Sequence, residues 1–343
     1  MENKKILPVN YPIITSYPAH ANILSCVSQY ENSIQWFYNH YLQLLAYVDF
    51  SRGYYVDFCA PIPWRSCPWI HAQRITRELI GKKWETITDF IIDCIDLDCY
   101  VYLYLDQFYI AAAAPYQKYH LAHDTFIFGY DLQNQTFDVA DFYKYSKYCY
   151  TKATFSQIGA AYQTLDLSNI PDNLQGIVLL KPVPYAEYQF DIQVMAELLQ
   201  DYLLARKSSK SYTDGYRLDI GAKNDRYYYG MDIYRLLPKH LEYYLNGQGP
   251  LDIRAFHVIL DHKTLMLARI KYLIDNNYLH QVDSIYEDYQ KVVKQAVNLR
   301  SLALKAILSK EGKTIQSIMN YLPYLVDGER MILEQLLAQL AFK

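Results

Sequence analysis

The chain has 343 residues with a hydrophobic fraction of 52% and a charged fraction of 20%, values that are typical of a folded protein and exclude a disordered one. Its net charge of −3 is distributed without a basic stripe or a block of like charge, so we expect neither nucleic acid nor a membrane as a partner. No stretch approaches the roughly 18 consecutive apolar residues that a membrane span requires.

The cysteine pattern indicates a reduced protein without metal. The first residues lack an apolar run of signal-peptide length, which predicts a cytoplasmic protein whose six cysteines form no disulfides. Cys94 and Cys99 have no second Cys or His pair at ligand spacing, so a zinc site is not expected. Because glycine-rich phosphate-binding motifs are also missing, the sequence predicts no cofactor.

The first half of the chain is predicted to begin with helices and to continue with strands. Apolar residues recur at steps of three and four near the N-terminus, and an alternating pattern follows around Arg52 and Gly53. The predicted elements in order are two helices over 19–46, a hairpin over 47–58, helices at 69–80 and 84–95, and a strand from Cys99 to Tyr104.

Two further strands, His123–Tyr130 and Thr136–Phe142, are predicted on either side of a five-residue turn. A helix near 154–165 and a strand at 176–183 complete this part. Helices followed by antiparallel strands predict an α+β domain, which we assign to residues 1–187.

Residues 188–343 are predicted to form an all-helical C-terminal region, because their apolar residues follow helical spacing. The predicted helices are 191–206, 230–246, 253–276, 282–309 and 314–341, with turns at Gly215, at 247–250 and at Glu311-Gly312. The last helix is amphipathic, and we expect it to pack on the body of the protein or on a second copy in a homodimer.

The hairpin of the first half brings a histidine toward an aspartate. If the chain turns about Gln133, position 125 lies opposite position 141, and His123, Thr125 and Asp141 share one face of the sheet. A carboxylate in this position holds an imidazole in one tautomer and stabilises its protonated form. Asp138 falls on the other face in this register. A slip of one residue would place Asp138, and not Asp141, on the face of His123.

The segment from His123 to Asp131, followed by Phe137-Asp-Val-Ala-Asp141, resembles the histidine–aspartate hairpin of papain-like cysteine peptidases of the bacteriocin-processing type. It is still more similar to the butirosin biosynthesis protein H family, in which a helix, a strand and a helical C-terminal half follow. Here Tyr229-Gly230 resembles the start of a helix in that half. The resemblance implies a papain-like fold for residues 1–187.

The family resemblance implies an acyltransferase or amide synthase of nonribosomal peptide or antibiotic biosynthesis. A cysteine at a helix N-terminus would take an acyl group from the phosphopantetheine thioester of a carrier protein, and a small amine would accept it. On this basis the catalytic residues are expected to be Cys26, His123 and Asp141, with Asn22 and Gln29 near the oxyanion.

Several alternatives remain open at this point. The family cysteine follows an asparagine directly, whereas Ile23 follows Asn22 here, so Cys26 suits the role if its helix begins at Ser25 and is a core thiol if it begins at Pro18. His120 is an alternative base. The same triad could serve a peptidase or thioesterase, and a relative without the nucleophile would be a non-catalytic partner in a biosynthetic assembly.

Overall fold

The computed structural model describes residues 3–49, 53–61, 63–144, 147–168, 170–208, 227–279, 284–309 and 311–340. The chain forms two compact units, of which the first comprises residues 1–33 and 63–187 and the second residues 34–62 and 188–343. The chain crosses from one unit to the other after residues 33, 62 and 187. Residues 34–62, which were assigned to the first domain, pack with the second unit instead.

The first unit is a mixed α+β structure. Its helices are α1 (Pro18–Val27), α3 (Pro63–Ser66), α4 (Arg77–Lys83), α5 (Ile87–Asp96) and α6 (Phe155–Gln163). Its strands are β1 (Lys4–Ile6), β4 (Ile70–Ile75), β5 (Tyr100–Asp106), β6 (Ala122–Asp131), β7 (Thr136–Lys144), β8 (Lys147–Thr154) and β9 (Ile177–Pro182).

These seven strands form one sheet in the order β4-β9-β5-β6-β7-β8, with β1 pairing to β6 off this path. All of the pairings are antiparallel. The β5–β6–β7 part is built from near-continuous apolar side chains, including Val101, Leu103, Phe126 and Ile127, and these are buried. Such strands are covered on both faces, which explains why their sequence does not alternate strictly.

The local sequence explains where the helices of this unit begin. The side chains of Thr86 and Thr154 each accept a hydrogen bond from the backbone amide of the third helical residue, and the side chains of Asp89 and Gln157 accept one from the backbone amide of the capping threonine. Both arrangements are capping boxes, which satisfy amide groups that the first turn of a helix leaves unpaired.

The prediction of a helix over 69–80 is wrong. Residues Ile70–Ile75 form the strand β4, which pairs with β9 over six positions, and only the following α4 is helical. Thr76 caps α4 and so marks the change from strand to helix. Pairing with β9, far away in the sequence, overrides the helical spacing of the apolar residues.

The second unit is mainly helical, with α2 (Ser33–His40), α7 (Ile192–Leu203), α8 (Ile233–Leu245), α9 (Ile253–Asp275), α10 (Ile285–Ser309) and α11 (Gly312–Leu340). It also contains a sheet of β2 (Leu44–Asp49), β3 (Gly53–Phe58) and β10 (Tyr227–Tyr229), so the prediction of an all-helical region needs correction. The predicted turn at Gly215 lies outside the described residues.

Residues 34–62 belong to this unit because α9 anchors them. Arg269 is fully buried and donates hydrogen bonds to the carbonyl oxygens of Tyr38 (2.7 Å) and Tyr41 (2.9 Å). His262 donates from Nε2 to the carbonyl oxygen of Leu42 at 2.7 Å. The Tyr38 carbonyl lies in the last turn of α2 and those of Tyr41 and Leu42 follow it; backbone acceptors there lack helical partners, so the side chains of α9 satisfy them.

A buried ion pair lies at the centre of the second unit. Lys263 on α9 and Glu329 on α11 are both fully buried, and Nζ lies 2.7 Å from Oε1. Tyr289 donates to the carboxylate at 2.9 Å and Tyr202 at 3.1 Å. The pair therefore connects helices that are distant in sequence.

Within the described residues, no helix has both the length and the apolar character needed to cross a membrane.

Candidate functional site

A register shift in the β6–β7 hairpin places the histidine and the aspartate. Next to the turn, Asp131 pairs with Thr136 and Gly129 with Asp138, which is one residue out of the register expected for a turn about Gln133. An irregularity between Ile127 and Gly129 then restores the expected register, since Phe126 pairs with Ala140. Continued by one residue, this register sets position 125 opposite 141, as predicted.

The predicted contact between His123 and Asp141 is present. His123 Nδ1 lies 2.9 Å from Asp141 Oδ2, and the Asp141 side chain is fully buried while that of His123 is 31% exposed. Asp138 instead accepts a hydrogen bond from Lys152 at 2.8 Å. Because the carboxylate is buried and the imidazole is partly exposed, the ring is available to a ligand.

Two further groups hold the Asp141 carboxylate in place. Gln107 donates from Nε2 to Oδ2 at 2.8 Å, and the backbone amide of Phe142 donates to Oδ1 at 2.6 Å. Gln107 lies in the 3₁₀ turn that follows β5 and is buried. Together with His123 these donors satisfy both oxygens, as a buried carboxylate requires. We name His123, Asp141 and Gln107 the dyad cluster.

The electrostatics of the dyad cluster favour a charged imidazole. Burial of the ring opposes protonation, but the Asp141 carboxylate and its hydrogen bond, with Asp124 nearby, outweigh this and raise the pKa of His123 to about 9. His123 is therefore an imidazolium at neutral pH. An imidazolium can donate a hydrogen bond or stabilise an anion, but it cannot accept a proton until it has lost one.

Asp124 forms a second carboxylate next to the ring. Its Oδ1 lies 3.4 Å from His123 Nδ1, and its Oδ2 accepts a hydrogen bond from the Tyr102 hydroxyl. Burial raises the pKa of Asp124, and the charge of His123 acts in the opposite direction. Tyr102 on β5 thus connects the sheet interior to the dyad cluster.

The alternative base, His120, belongs to a separate pair. Its Nδ1 lies 2.6 Å from Asp106 Oδ2, and its side chain is 66% exposed. The ring stacks on Phe108 with centroids 4.4 Å apart. Because its carboxylate partner is Asp106 and not Asp141, His120 is not part of the dyad cluster.

Cys26 does not lie at the start of a helix. The helix α1 begins at Pro18, which stands in its first turn, and Cys26 is the penultimate residue. The expectation for a helix that begins at Ser25 is therefore wrong, and Cys26 has the location expected of a core thiol. At this end the helix dipole gives a thiolate no support.

The surroundings of Cys26 also disfavour a thiolate. The side chain is fully buried, and its thiol donates to the carbonyl oxygen of Asn22 at 3.1 Å. Burial, and secondarily Cys67, raises the pKa of Cys26 well above its ordinary value. Among the described residues we find no hydrogen bond or ion pair between this thiol and His123.

Gln29 and Asn22, the two residues expected near the oxyanion, differ in whether their side-chain amide donors have partners among the described residues. Gln29 donates from Nε2 to the carbonyl oxygens of Cys26 (2.7 Å) and Pro8 (3.4 Å), so its donors are already used. Asn22 is 1% exposed, and its Oδ1 accepts from the Tyr148 hydroxyl at 2.8 Å. Its buried Nδ2 has no hydrogen-bond partner among the described residues and remains a donor without an acceptor.

Aromatic side chains connect α1 to the dyad cluster. Tyr148 contacts Asn22 and lies near Phe142, with ring centroids 6.0 Å apart, and Phe142 lies 6.4 Å from the His123 ring. We did not predict a role for Gln107 or Tyr148 from the sequence. The strand β8, which carries Tyr148, alternates polar and aromatic residues, and this pattern could have indicated it.

Comparison with known proteins does not assign the chain to a family. No family model matches the sequence, and no curated protein matches it.

Proposed function

We propose that the chain is a papain-fold protein of acyl-transfer biosynthesis that binds a carrier-bound acyl group without forming an acyl-enzyme on Cys26. The observation that carries this proposal is the location of Cys26, fully buried near the C-terminal end of α1 with its thiol bonded to the Asn22 carbonyl. An acyl-enzyme requires an accessible thiolate, and this site supplies neither access nor a low pKa.

The dyad cluster provides the binding function in this proposal. The partly exposed His123 ring carries a positive charge at neutral pH and is held in orientation by Asp141. Such a group can donate a hydrogen bond to the carbonyl oxygen of a thioester or amide. The papain-like fold and the carrier-protein partner rest on the resemblance of the His123–Asp141 hairpin to that family.

A second candidate is the cysteine acyltransferase or amide synthase, in which Cys26, His123 and Asp141 act as a triad and an amine accepts the acyl group. The unpaired Nδ2 donor of Asn22 favours it, because a buried amide without an acceptor suits an oxyanion. In this case the buried Cys26 thiol would have to become accessible to a thioester and to transfer its proton to the His123 imidazole.

Intact-protein mass spectrometry separates the two candidates. The protein is mixed with an acylated carrier protein or a short acyl-thioester mimic, and Cys26→Ala and His123→Ala are treated in parallel. The proposal predicts no acyl adduct on Cys26, and carrier binding that Cys26→Ala leaves unchanged but His123→Ala weakens. A mass gain of one acyl group that Cys26→Ala abolishes would overturn it in favour of the triad.

A thiol-reactivity measurement supplies the matched control. Cys149 is half-buried whereas Cys26 is fully buried, so a small alkylating agent should modify Cys149 in the native protein and reach Cys26 only in denaturant. We expect Cys26 to react much more slowly, because its thiol is buried away from the reagent and burial raises its pKa. Equal rates at the two thiols would contradict the proposal.

A further inference from the structure

A second concave site lies in the first unit, between α3 and the strand β4. It encloses about 420 Å³ and is lined by Trp64, Arg65, Ile70, His71, Ala72, Gln73, Arg74 and Val178. β4 ends the strand order of the sheet, so only one of its edges is paired with another described strand. We name this site the arginine pocket. It has the size of a small-molecule site.

The charges of the arginine pocket are not compensated by the protein. No lining residue is acidic, and neither Arg65 nor Arg74 forms an ion pair with a carboxylate of the described residues. Burial lowers the pKa of Arg74, and the neighbouring charge of Arg65 lowers it further. Two guanidinium groups that repel each other are stabilised when an anion lies between them.

The sheet holds Arg74 in place. Arg74 pairs with Val178 on β9, which pairs with Tyr102 on β5, so the three side chains lie in one row on the same face. The stem of Arg74 covers Gly176, where a Cβ atom would come within 3.0 Å of Arg74 Cγ. This contact restrains the stem of the side chain, while the residue as a whole is exposed.

Trp64 gives the pocket an aromatic wall. Its ring is half-buried, and its centroid lies 6.1 Å from that of Tyr102. Because Trp64 lines the pocket, a flat or apolar group bound there can contact its indole. His71 and Gln73 also line this space, but their side chains alternate with that of Arg74 and point to the opposite face of the strand.

From this arrangement we propose that the arginine pocket binds an organic phosphate, with the phosphate between Arg65 and Arg74 and the organic part against Trp64. Guanidinium groups bind phosphate with paired, charge-assisted hydrogen bonds, and two of them match its double negative charge. A cavity of about 420 Å³ is larger than a phosphate alone requires and accommodates an attached ring. The proposal does not depend on the role of Cys26.

Isothermal titration calorimetry of the full chain with phenyl phosphate, inorganic phosphate and phenol tests the proposal. We expect phenyl phosphate to bind at one site per chain, more tightly than inorganic phosphate, and phenol not to bind. Arg65→Gln and Arg74→Gln should each weaken phenyl phosphate binding about tenfold, as expected for one charge-assisted contact. Trp64→Leu should remove the preference for phenyl phosphate over inorganic phosphate.

Lys83→Gln is the matched control, because Lys83 is an exposed cation on α4 that does not line the pocket. It should bind as the unmodified chain does, and circular dichroism should show the same fold for every variant. The proposal is overturned if neither phosphate binds at millimolar concentration, or if Arg74→Gln binds as tightly as the control. Equal binding of the two phosphates by the unmodified chain would also overturn it.

Discussion

The two units each contain a buried carboxylate paired with a cation, but they surround it differently. In the first unit the Asp141 side chain is fully buried and its partner His123 is 31% exposed. In the second unit Lys263 and Glu329 are both fully buried. The first pair therefore presents one charged group to solvent, whereas the second presents none.

The second pair is closed by protein groups on every side. Lys263 Nζ contacts Glu329, donates to the Tyr202 hydroxyl at 3.0 Å, and lies 3.1 Å from His262 Nδ1. Because His262 donates from Nε2 to Leu42, its Nδ1 is the acceptor, and burial lowers the pKa of this ring well below its ordinary value. All three ammonium hydrogens thus have partners within the fold.

The exposure of one partner determines whether a buried ionic pair can act on a ligand. A pair that has used all of its donors and acceptors within the protein has no group left for a ligand, so it can only stabilise or specify the fold. A pair with one exposed partner retains a directed charge that can act on another molecule.

The largest expected effect is the loss of Lys263. Lys263→Met leaves the Glu329 carboxylate buried without a cation, and this should lower the free energy of unfolding of the second unit by about 3–5 kcal/mol. Urea unfolding followed by circular dichroism measures the loss. The double variant Lys263→Met/Glu329→Leu should recover most of it, because no charge remains buried. If the single variant unfolds at the same urea concentration as the parent, the pair does not have this role.

The next effect concerns the protonation of His123. Asp141→Asn removes the main charge that stabilises the imidazolium, so the pKa of His123 should fall from about 9 toward its ordinary value of 6.5, with burial lowering it and Asp124 still raising it. Titration of the histidine ring signals by NMR measures the change. Asp138→Asn, on the carboxylate that binds Lys152, is the control and should leave this pKa unchanged. A shift of similar size in both variants would argue against a specific pair.

The raised pKa of His123 also makes stability depend on pH. The folded chain retains this proton up to about pH 9, whereas the unfolded chain loses it near pH 6.5. The stabilisation is therefore complete below pH 6.5 and is lost as the pH rises through about 9. Calorimetric melting temperatures at the two ends of this range should differ more for the parent than for His123→Gln. Identical differences in the two proteins would contradict the assignment.

The smallest expected effect is at Gln107. Gln107→Leu removes one hydrogen bond to the buried Asp141 carboxylate and should cost about 1.5–3 kcal/mol of stability, a range typical of a bond to a charged group. Gln193→Leu, whose side chain contacts only an exposed Glu197 in the same helix, should change stability by less than about 0.5 kcal/mol. Chemical unfolding of both variants compares them directly, and equal losses would show that Gln107 does not support the carboxylate.

Local patterns in the sequence predicted much of the secondary structure. The helices α7, α9, α10 and α11 begin and end within a few residues of their predicted bounds, because their buried residues repeat at helical spacing over many turns. The contact between His123 and Asp141 was also predictable. Side chains on a hairpin alternate between faces, so a register that puts both residues on one face brings them together.

Which residues of β6 and β7 share one face of the sheet, however, depended on tertiary structure. The turn alone gives a register one residue away from the predicted one, and only the irregularity between Ile127 and Gly129 restores it. A register shift of this kind is set by the packing of neighbouring strands, which the sequence of the hairpin does not show. The contribution of Gln107 was missed for the same reason, since it comes from a different strand connection.

The sequence by itself determined the elements whose apolar residues repeat over a short distance, since such a repeat specifies one helix face or one side of a strand. Only the tertiary structure decided that Cys26 is buried, that Ile70–Ile75 is a strand, and that residues 34–62 pack with the second unit. It also decided the partner of Lys263, which lies on another helix. These features depend on contacts between residues far apart in the chain, and a local pattern contains no information about the partner.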